Sequence, residues 1–192
     1  AIKPYPCCGS AHAAIRAALN LRTETALDPA QIAKITALVH PRRLPHTDNP
    51  APKTEWHAQF SVQYPVAPAL LAGAIKLSHF DEVAISDPRV AALLSNLDAR
   101  AHPEMSDHSA SQWAAEVIVE TQTGARLSHR IDDLMAGGGA VPLTTADMRD
   151  KFMDCAEAIG SADWASHLFA QIETFDTQPS LAPILTLMAH RP

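Results

Sequence analysis

The chain has 192 residues, a formal net charge of −6 at pH 7 and a hydrophobic fraction of 47%, which is typical of one globular domain with or without a small appendage. The acidic balance argues against nonspecific binding to nucleic acid or to an anionic membrane surface. The sequence has no apolar run long enough for a transmembrane helix, its first residues do not have the pattern of a signal peptide, and its three cysteines make a poor disulfide framework. We therefore expect a cytoplasmic protein.

The first predicted feature is an extended strap over residues 2–10 that leads into a helix. Lys3 and Tyr5 both precede prolines, and the residue before a proline is biased towards extended backbone. Ser10 is predicted to cap the helix, because a serine hydroxyl can accept a hydrogen bond from a free N–H group of the first turn. Apolar residues at helical spacing predict the helix itself over residues 11–22.

The strap and the start of this helix together form a candidate anion site. A helix N-terminus carries about half a positive charge and several free N–H donors. Lys3 and His12 add charge and donors beside it, so a carboxylate is the expected guest. Cys8 is a candidate reactive thiol, with a buried and unreactive thiol as the alternative. The alternative for the whole segment is a surface strap with a solvated lysine.

A strand and an irregular segment are predicted next. Residues 31–40 alternate between two faces and are rich in β-branched side chains, which predicts a strand. Residues 41–52 are rich in proline and polar residues and predict an exposed loop. We interpret the basic side chains of this loop, Arg42, Arg43 and His46, as solvated.

A helix interrupted by prolines is predicted from Trp56 towards Ile75. Its core-facing stripe consists of Phe60, Tyr64, Ala67 and Leu71. Pro65 and Pro68 each remove an N–H donor, so we expect a kink or a restart with Tyr64 at the break. Tyr64 is either a core residue or a side chain folded over the group of Lys3, Cys8 and His12.

The middle of the chain predicts short helices and a hairpin. Residues 78–97 form two helical pieces, divided where Asp87 precedes Pro88 at a first helical position. A short strand is predicted over residues 100–105. Alternation over residues 113–121 and 125–131, with a turn between them, predicts two paired strands.

The triple glycine of residues 137–139 is predicted to divide the chain into an α+β domain, 1–136, and a C-terminal helical segment, 137–192. The first domain is expected to pack helices on a small, mostly antiparallel sheet. Three helices are predicted after the glycines, over residues 144–159, over residues 161–175 and shortly after Pro179. Cys155 lies on an apolar helix face and is expected in the core.

Several common site types are missing from the sequence. There is no HExxH motif and no histidine and cysteine set at zinc spacing, so we predict neither a metal nor another cofactor. There is no Gly-x-Ser-x-Gly nucleophile motif. The remaining candidates are Lys3, Cys8, His12 and Tyr64, which are residue types that bind carboxylates and move protons beside them. They favour chemistry on a polycarboxylate or an enolate.

These residues also carry a resemblance to a known family, and the matching segments run through the chain in order. They are Lys3-Pro4-Tyr5-Pro6-Cys7-Cys8 with His12, Phe60-Ser61-Val62-Gln63-Tyr64, Phe80, Asp87-Pro88-Arg89-Val90, and Pro142-Leu143-Thr144 with Lys151-Phe152. The chain resembles the MmgE/PrpD family, which includes 2-methylcitrate dehydratase, cis-aconitate decarboxylase and iminodisuccinate epimerase.

The resemblance implies a two-domain enzyme with its active site between the domains. Family members have a large all-helical domain and an inserted α+β lid, and their chain returns to the helical domain at its C-terminus. This sequence is therefore expected to be the lid plus that C-terminal return, without the N-terminal helical portion. The family's other catalytic groups, an aspartate, histidines and a further lysine, would lie in that portion.

Six residues are candidates for the site, and four of them (Lys3, Tyr64, Cys8 and His12) are carried over from the family by position. The six are Lys3, Tyr64 and Cys8 as catalytic residues, and His12, Ser10 and Gln63 as substrate-binding residues. Cys8 stands where the decarboxylase branch has a catalytic histidine, which argues against decarboxylation. Gln59 stands where members often have lysine or arginine, which weakens a carboxylate clamp.

Two functional hypotheses follow. The first is the C-terminal part of a cofactor-independent hydro-lyase or epimerase that acts on a small di- or tricarboxylate, is 2-methylcitrate dehydratase-like, and is a homodimer at full length. The second is a truncated and catalytically silent module that binds such acids weakly or dimerises through an exposed helix face.

Overall fold

The computed structural model describes residues 2–106, 108, 112–134 and 143–190. The chain divides into two compact units, Ala1–Pro142 and Leu143–Pro192. The predicted triple-glycine boundary lies outside the described residues.

The first unit contains five α-helices and four strands within the described residues. The helices are α1 (His12–Thr25), α2 (Glu55–Gln59), α3 (Gln63–Ala72), α4 (Glu82–Ile85) and α5 (Pro88–Leu94). The strands are β1 (Ile32–Val39), β2 (Leu97–Ala101), β3 (Ala115–Thr121) and β4 (Arg126–Ile131). The second unit contains α6 (Thr145–Glu157), α7 (Ala162–Glu173) and α8 (Ala182–Ala189).

The four strands form one mixed sheet in the order β2-β1-β3-β4. β1 pairs parallel with β2, whereas the β1–β3 and β3–β4 pairs are antiparallel. The crossover from β1 to β2 contains α2 to α5, as a parallel connection requires. An α+β fold with a mostly antiparallel sheet and a C-terminal helical segment is thereby confirmed.

The core of the first unit lies between the sheet and its helices. Alternate residues of β1 and β3, including Ile35, Ala37, Val117 and Val119, are fully buried on one face. The helix α1 packs against β3, β4 and α3, and its alanines allow a close approach. The outward positions of the same strands carry charges, such as Lys34 opposite Glu120. This alternation is the period of a sheet with one covered face.

The predicted helix over residues 56–75 is two helices. The chain breaks after Gln59 and restarts at Gln63, next to the expected break at Tyr64. Pro65 is the third residue of α3, where its missing N–H group costs no helical bond. Gly73, with a φ of +70°, ends α3, and the Arg22 guanidinium donates to the carbonyls of Leu70 and Leu71.

Three further expectations need correction. Phe60 is not a core residue: it is 38% exposed and its ring lies on that of Trp56, because the chain has left the helix at this point. The strand placed at residues 100–105 is β2, which ends at Ala101, and Met105 follows it as a buried residue of a turn. Cys155 is exposed rather than buried.

The second unit is a group of three helices with capped starts. Thr144 and Asp147 form a reciprocal capping box at α6, and Ser161 caps α7 through the N–H of Trp164. The Trp164 indole donates to the carbonyl of Leu187 (2.8 Å), which links α7 to α8. None of the residues of α8 is buried, and Leu185 and Met188 are mostly exposed.

Candidate functional site

The strap of residues 2–10 is held at several points. The Cys8 N–H donates to the carbonyl of Gln59 (2.8 Å) at the end of α2. The Tyr5 ring is buried, and its centroid lies 5.3 Å from that of the His12 ring in an edge-to-face arrangement. Its hydroxyl accepts from Arg16 Nε (2.8 Å). The strap is therefore a fixed part of the first unit.

Two of the predicted site residues meet at the carbonyl of Cys7. Lys3 Nζ donates to this oxygen at 3.2 Å, and His12 Nε2 lies 3.4 Å from it. A carbonyl only accepts, so Nε2 is the protonated nitrogen of His12 in this contact. Lys3 is exposed, whereas His12 is fully buried below the strap. Lys3 can therefore meet a ligand from solvent, and His12 supports the backbone that holds it.

The two adjacent cysteines have different surroundings. Burial raises the pKa of the Cys7 thiol to about 12, the charge of Cys8 adds to this, and Lys3 partly offsets it. Cys8 is only half-buried. Cys8 is therefore the thiol of the pair that a ligand can reach, and Cys7 is a small core residue.

Ser10 does not cap the helix as predicted. Neither the 3-10 turn of Gly9–Ala11 nor α1 has a side-chain hydrogen bond at its N-cap. The Ser10 hydroxyl instead shares a hydrogen bond of 3.0 Å with Nε2 of His46, on the loop after β1. Ser10 is buried and His46 is exposed, so the serine holds a ring that faces solvent.

Arg43 is not the solvated residue that the loop composition predicts, whereas His46 is exposed as expected and is also hydrogen-bonded to Ser10. The Arg43 guanidinium lies 3.8 Å from the centroid of the Trp113 ring. It also donates to the carbonyl and the side-chain oxygen of Gln112, both at 3.2 Å. The same indole borders the strap, since a Cβ atom at Gly9 would lie 3.7 Å from it. The loop and Trp113 thus border the strap at Gly9 and Ser10.

Sequence reasoning assigned no site role to Arg43, His46 and Trp113. The only local signal is an arginine and a histidine three residues apart, which the 3-10 turn Leu44–His46 brings to one side. Their partners are distant in sequence, so no spacing rule identifies them.

The Gln63 side chain is buried and holds the loop by hydrogen bonds, so it does not present its polar atoms to solvent. Its side-chain oxygen accepts from the Asn49 N–H (3.2 Å) and the Ser61 hydroxyl (3.3 Å), and its amide donates to Asp48 (2.6 Å). The side chain is 1% exposed. Its contacts hold the loop that carries His46 against the start of α3.

Tyr64 makes its contacts away from the strap. Its hydroxyl donates to the carbonyl of His79 (2.6 Å), and its ring packs on that of Phe80. Burial raises its pKa to about 12, and the nearby charges of Asp81 and Asp87 add to this. Tyr64 also lines a cavity of about 160 Å³, together with His79, Asp87 and Arg89. The hydrogen bonds of Lys3, Cys8 and His12 described above do not involve Tyr64.

The described part of the chain lacks the features of a metal site and of a membrane span. No group of three histidine, cysteine or acidic side chains in these residues has the arrangement of a metal site. None of the helices there has both the length and the apolar character needed to span a bilayer.

A comparison with protein families gives a match to the MmgE/PrpD C-terminal domain over residues 5–174. The matched region covers Cys8, Ser10, His12, Gln63 and Tyr64, and it begins two residues after Lys3. A comparison with curated proteins gives no significant match. Because the family match spans most of the chain, this protein belongs to the MmgE/PrpD family through its C-terminal domain.

Proposed function

We propose that the chain supplies one side of the active site of a cofactor-independent lyase or isomerase that acts on a small di- or tricarboxylic acid. The reaction class is proton abstraction next to a carboxylate, as in a 2-methylcitrate dehydratase. Membership of the MmgE/PrpD family supports this class. The observation that carries the proposal is the exposed Lys3 ammonium, held 3.2 Å from the Cys7 carbonyl beside the half-buried Cys8.

Lys3 has the chemistry that such a reaction needs. Removal of a proton next to a carboxylate leaves an enolate-like group with additional negative charge. A fixed ammonium stabilises this charge more in the transition state than in the ground state. One N–H of Lys3 points to the Cys7 carbonyl, so two donors remain for the substrate. In a dehydration, the C–H and neighbouring C–O bonds break, a C=C bond forms and water leaves.

Cys8 is the proposed proton donor on this side of the site. Its thiol is accessible, whereas the raised pKa and burial of Cys7 disfavour that residue. The cysteine favours dehydration or epimerisation over decarboxylation, because the decarboxylase branch is expected to have a histidine here. The base that removes the proton is expected from the helical domain of the family.

The proposed function assigns different roles to the other four candidates, Ser10, His12, Gln63 and Tyr64. Ser10 holds the His46 ring beside the strap, and His12 supports the Cys7 carbonyl from below. Gln63 fixes the loop. Tyr64 would reach the substrate through the cavity beside His79.

The test is a titration and an activity screen of the chain with a panel of di- and tricarboxylates, including citrate and 2-methylcitrate. We expect binding that is lost in Lys3→Ala and unchanged in Lys53→Ala, an exposed lysine on the loop. Turnover of any panel acid would support the enzyme directly. If no acid binds and none is converted, or if both lysine variants bind equally, the proposal is wrong.

The second candidate function is a catalytically silent module that dimerises. The observation that favours it is the apolar surface of the second unit, where Leu181, Leu185 and Met188 are each more than half exposed. A homodimer is also what we propose for the enzyme. Sedimentation analysis of the chain and of Leu185→Glu tests this, because dimerisation through α8 requires the variant to be monomeric.

We also propose a cytoplasmic location for either function. Cys7, Cys8 and Cys155 are all free thiols, which suits a reducing compartment.

A further inference from the structure

We propose that His46 is a further substrate-binding residue and takes a carboxylate group of the acid bound at Lys3. The inference rests on the proposed function and adds a residue to its site. His46 lies on the loop between β1 and α2, and its ring is exposed.

The bond to Ser10 places the His46 ring beside the strap. Ser10 Oγ and His46 Nε2 are 3.0 Å apart. Ser10 follows Cys8 by two residues, so the two Cα atoms lie within about 7 Å of each other. A small polycarboxylate bound beside Cys8 is therefore within reach of the imidazole.

The turn that carries His46 is anchored by its neighbour Thr47, which is 1% exposed. The Thr47 hydroxyl donates to the Arg43 carbonyl (2.7 Å), and the Thr47 carbonyl accepts from the Val62 N–H (2.9 Å). Arg43 is itself fixed on the Trp113 ring. Because both ends of the turn are held, the position of His46 is set before any ligand binds, which lowers the entropic cost of binding.

The partner of His46 also distinguishes it from other histidines in the described residues. Nδ1 of His40 accepts from the Arg42 N–H (3.1 Å), and its Nε2 faces the Ser106 carbonyl (2.8 Å). Nδ1 of His102 likewise accepts from the Glu104 N–H (3.1 Å). A backbone N–H cannot accept, so these contacts keep one nitrogen of each ring unprotonated.

A hydroxyl imposes no such restriction on His46. The Ser10 O–H donates to an unprotonated Nε2 and accepts from a protonated one, so the contact persists in the neutral and the cationic ring. In both states Nδ1 is left to meet a ligand. A ring that keeps its position while its charge changes is suited to binding an anion.

The charges near the turn favour an anionic ligand. Arg42 and Arg43 are on the same loop, and Lys3 is on the strap. The acidic residue of the loop, Asp48, accepts from the buried Gln63 amide (2.6 Å). Of these cations, Lys3 is exposed beside Cys8, and its charge attracts carboxylates to this side of the strap.

The experiment is an NMR titration of the histidine ring protons of the chain with citrate at constant ionic strength. We expect the His46 ring signals to move with the signals of strap residues, while those of His57, an exposed histidine on α2, stay in place. His46→Ala should lower the affinity for citrate about tenfold, the loss expected for one hydrogen bond to a charged group. His57→Ala should leave the affinity unchanged.

Two further variants separate binding from folding. Ser10→Ala should weaken citrate binding, because the His46 ring loses its hydrogen-bond partner. Ser10→Thr keeps the hydroxyl and should retain citrate binding. Unchanged backbone amide spectra outside the loop show that the variants are folded. If citrate binds and Lys3→Ala abolishes binding, but His46→Ala behaves like His57→Ala, this inference is wrong and the proposed function stands. If citrate does not bind the wild-type chain, both are wrong.

Discussion

The Arg43 guanidinium lies 3.8 Å from the centroid of the Trp113 ring, and this contact joins the loop after β1 to the segment before β3. The same arginine donates twice to Gln112. A planar guanidinium can stack on a ring and make two directed hydrogen bonds at once, which a lysine cannot do. The contact therefore fixes one end of the turn that presents His46.

The first prediction concerns this contact. Arg43→Lys should lower the free energy of unfolding by about 1–2 kcal/mol, because the stacking and the Gln112 bonds are lost while the charge is kept. Urea unfolding followed by circular dichroism measures the change. The control is Arg42→Lys, at an exposed neighbouring position, which should change the free energy by less than about 0.5 kcal/mol. Equal effects at the two positions would show that the stacking contributes nothing.

A second prediction concerns Gln63, whose side chain contacts Asn49, Ser61 and Asp48. Gln63→Leu keeps the volume but leaves the Asn49 N–H without this acceptor and Asp48 without this donor. We expect the free energy of unfolding to fall by about 1–2 kcal/mol, because the hydrogen bonds of the Gln63 side chain to the loop are lost. Amide hydrogen exchange should also become faster at Asn49, where the N–H loses one of its two acceptors and keeps the Thr47 carbonyl (3.0 Å).

The matched control for Gln63 is Gln59→Leu at the end of α2. The structure uses the backbone carbonyl of Gln59, which accepts from the Cys8 N–H, and this bond survives the substitution. A stability loss in Gln59→Leu as large as that in Gln63→Leu would contradict the conclusion that the hydrogen bonds of the Gln63 side chain hold the loop.

Local patterns predicted much of the fold. The alternation of β3 and β4, the helix α1, and the starts of α5, α6 and α7 all depend on residues within a few positions of one another. Periodicity and capping rules act on that scale. The chain also breaks close to the prolines, before α3, but Pro68 lies inside this helix and does not interrupt it as expected.

The site was harder to predict because its contacts are long-range. The Ser10 hydroxyl has a local use as a helix cap, and it bonds instead to His46, 36 residues away. The basic loop has the composition of a solvated segment, yet Arg43 contacts Trp113, which lies just before the neighbouring strand β3. Phe60 continues the helical stripe in sequence, but the chain leaves the helix there and its ring is exposed. Tertiary contacts override local preference at each of these positions.

A third prediction concerns thiol reactivity. Burial raises the pKa of Cys7 to about 12, whereas Cys8 is half-buried and Cys155 is exposed. Because the thiolate is the reactive form, two thiols should react with an aromatic disulfide reagent in the native chain, and Cys7 should react only after denaturation. The stoichiometry should stay at two in Cys7→Ser and fall to one in Cys8→Ser. A native thiol lost in Cys7→Ser would contradict the burial of Cys7.

The last prediction concerns Tyr64, one of the two tyrosines of the chain. Burial, with a smaller effect from the charges of Asp81 and Asp87, raises its pKa to about 12. The pKa of a tyrosine in the unfolded chain is about 10. The contribution of Tyr64 to stability is therefore complete below about pH 10 and is lost as the pH rises through the folded pKa, because the unfolded chain releases the proton first.

Phenolate absorbance during an alkaline titration should show a late step near pH 12, the pKa of Tyr64. Tyr64→Phe should remove this step and should lower the free energy of unfolding at neutral pH by about 1 kcal/mol, because the bond to the His79 carbonyl is lost. The stability of the variant should also fall less between about pH 10 and 12. Tyr5→Phe serves as the control and should retain the late step. A late step that persists in Tyr64→Phe and disappears in Tyr5→Phe would show that the raised pKa belongs to Tyr5 of the strap. This result would contradict the prediction for Tyr64.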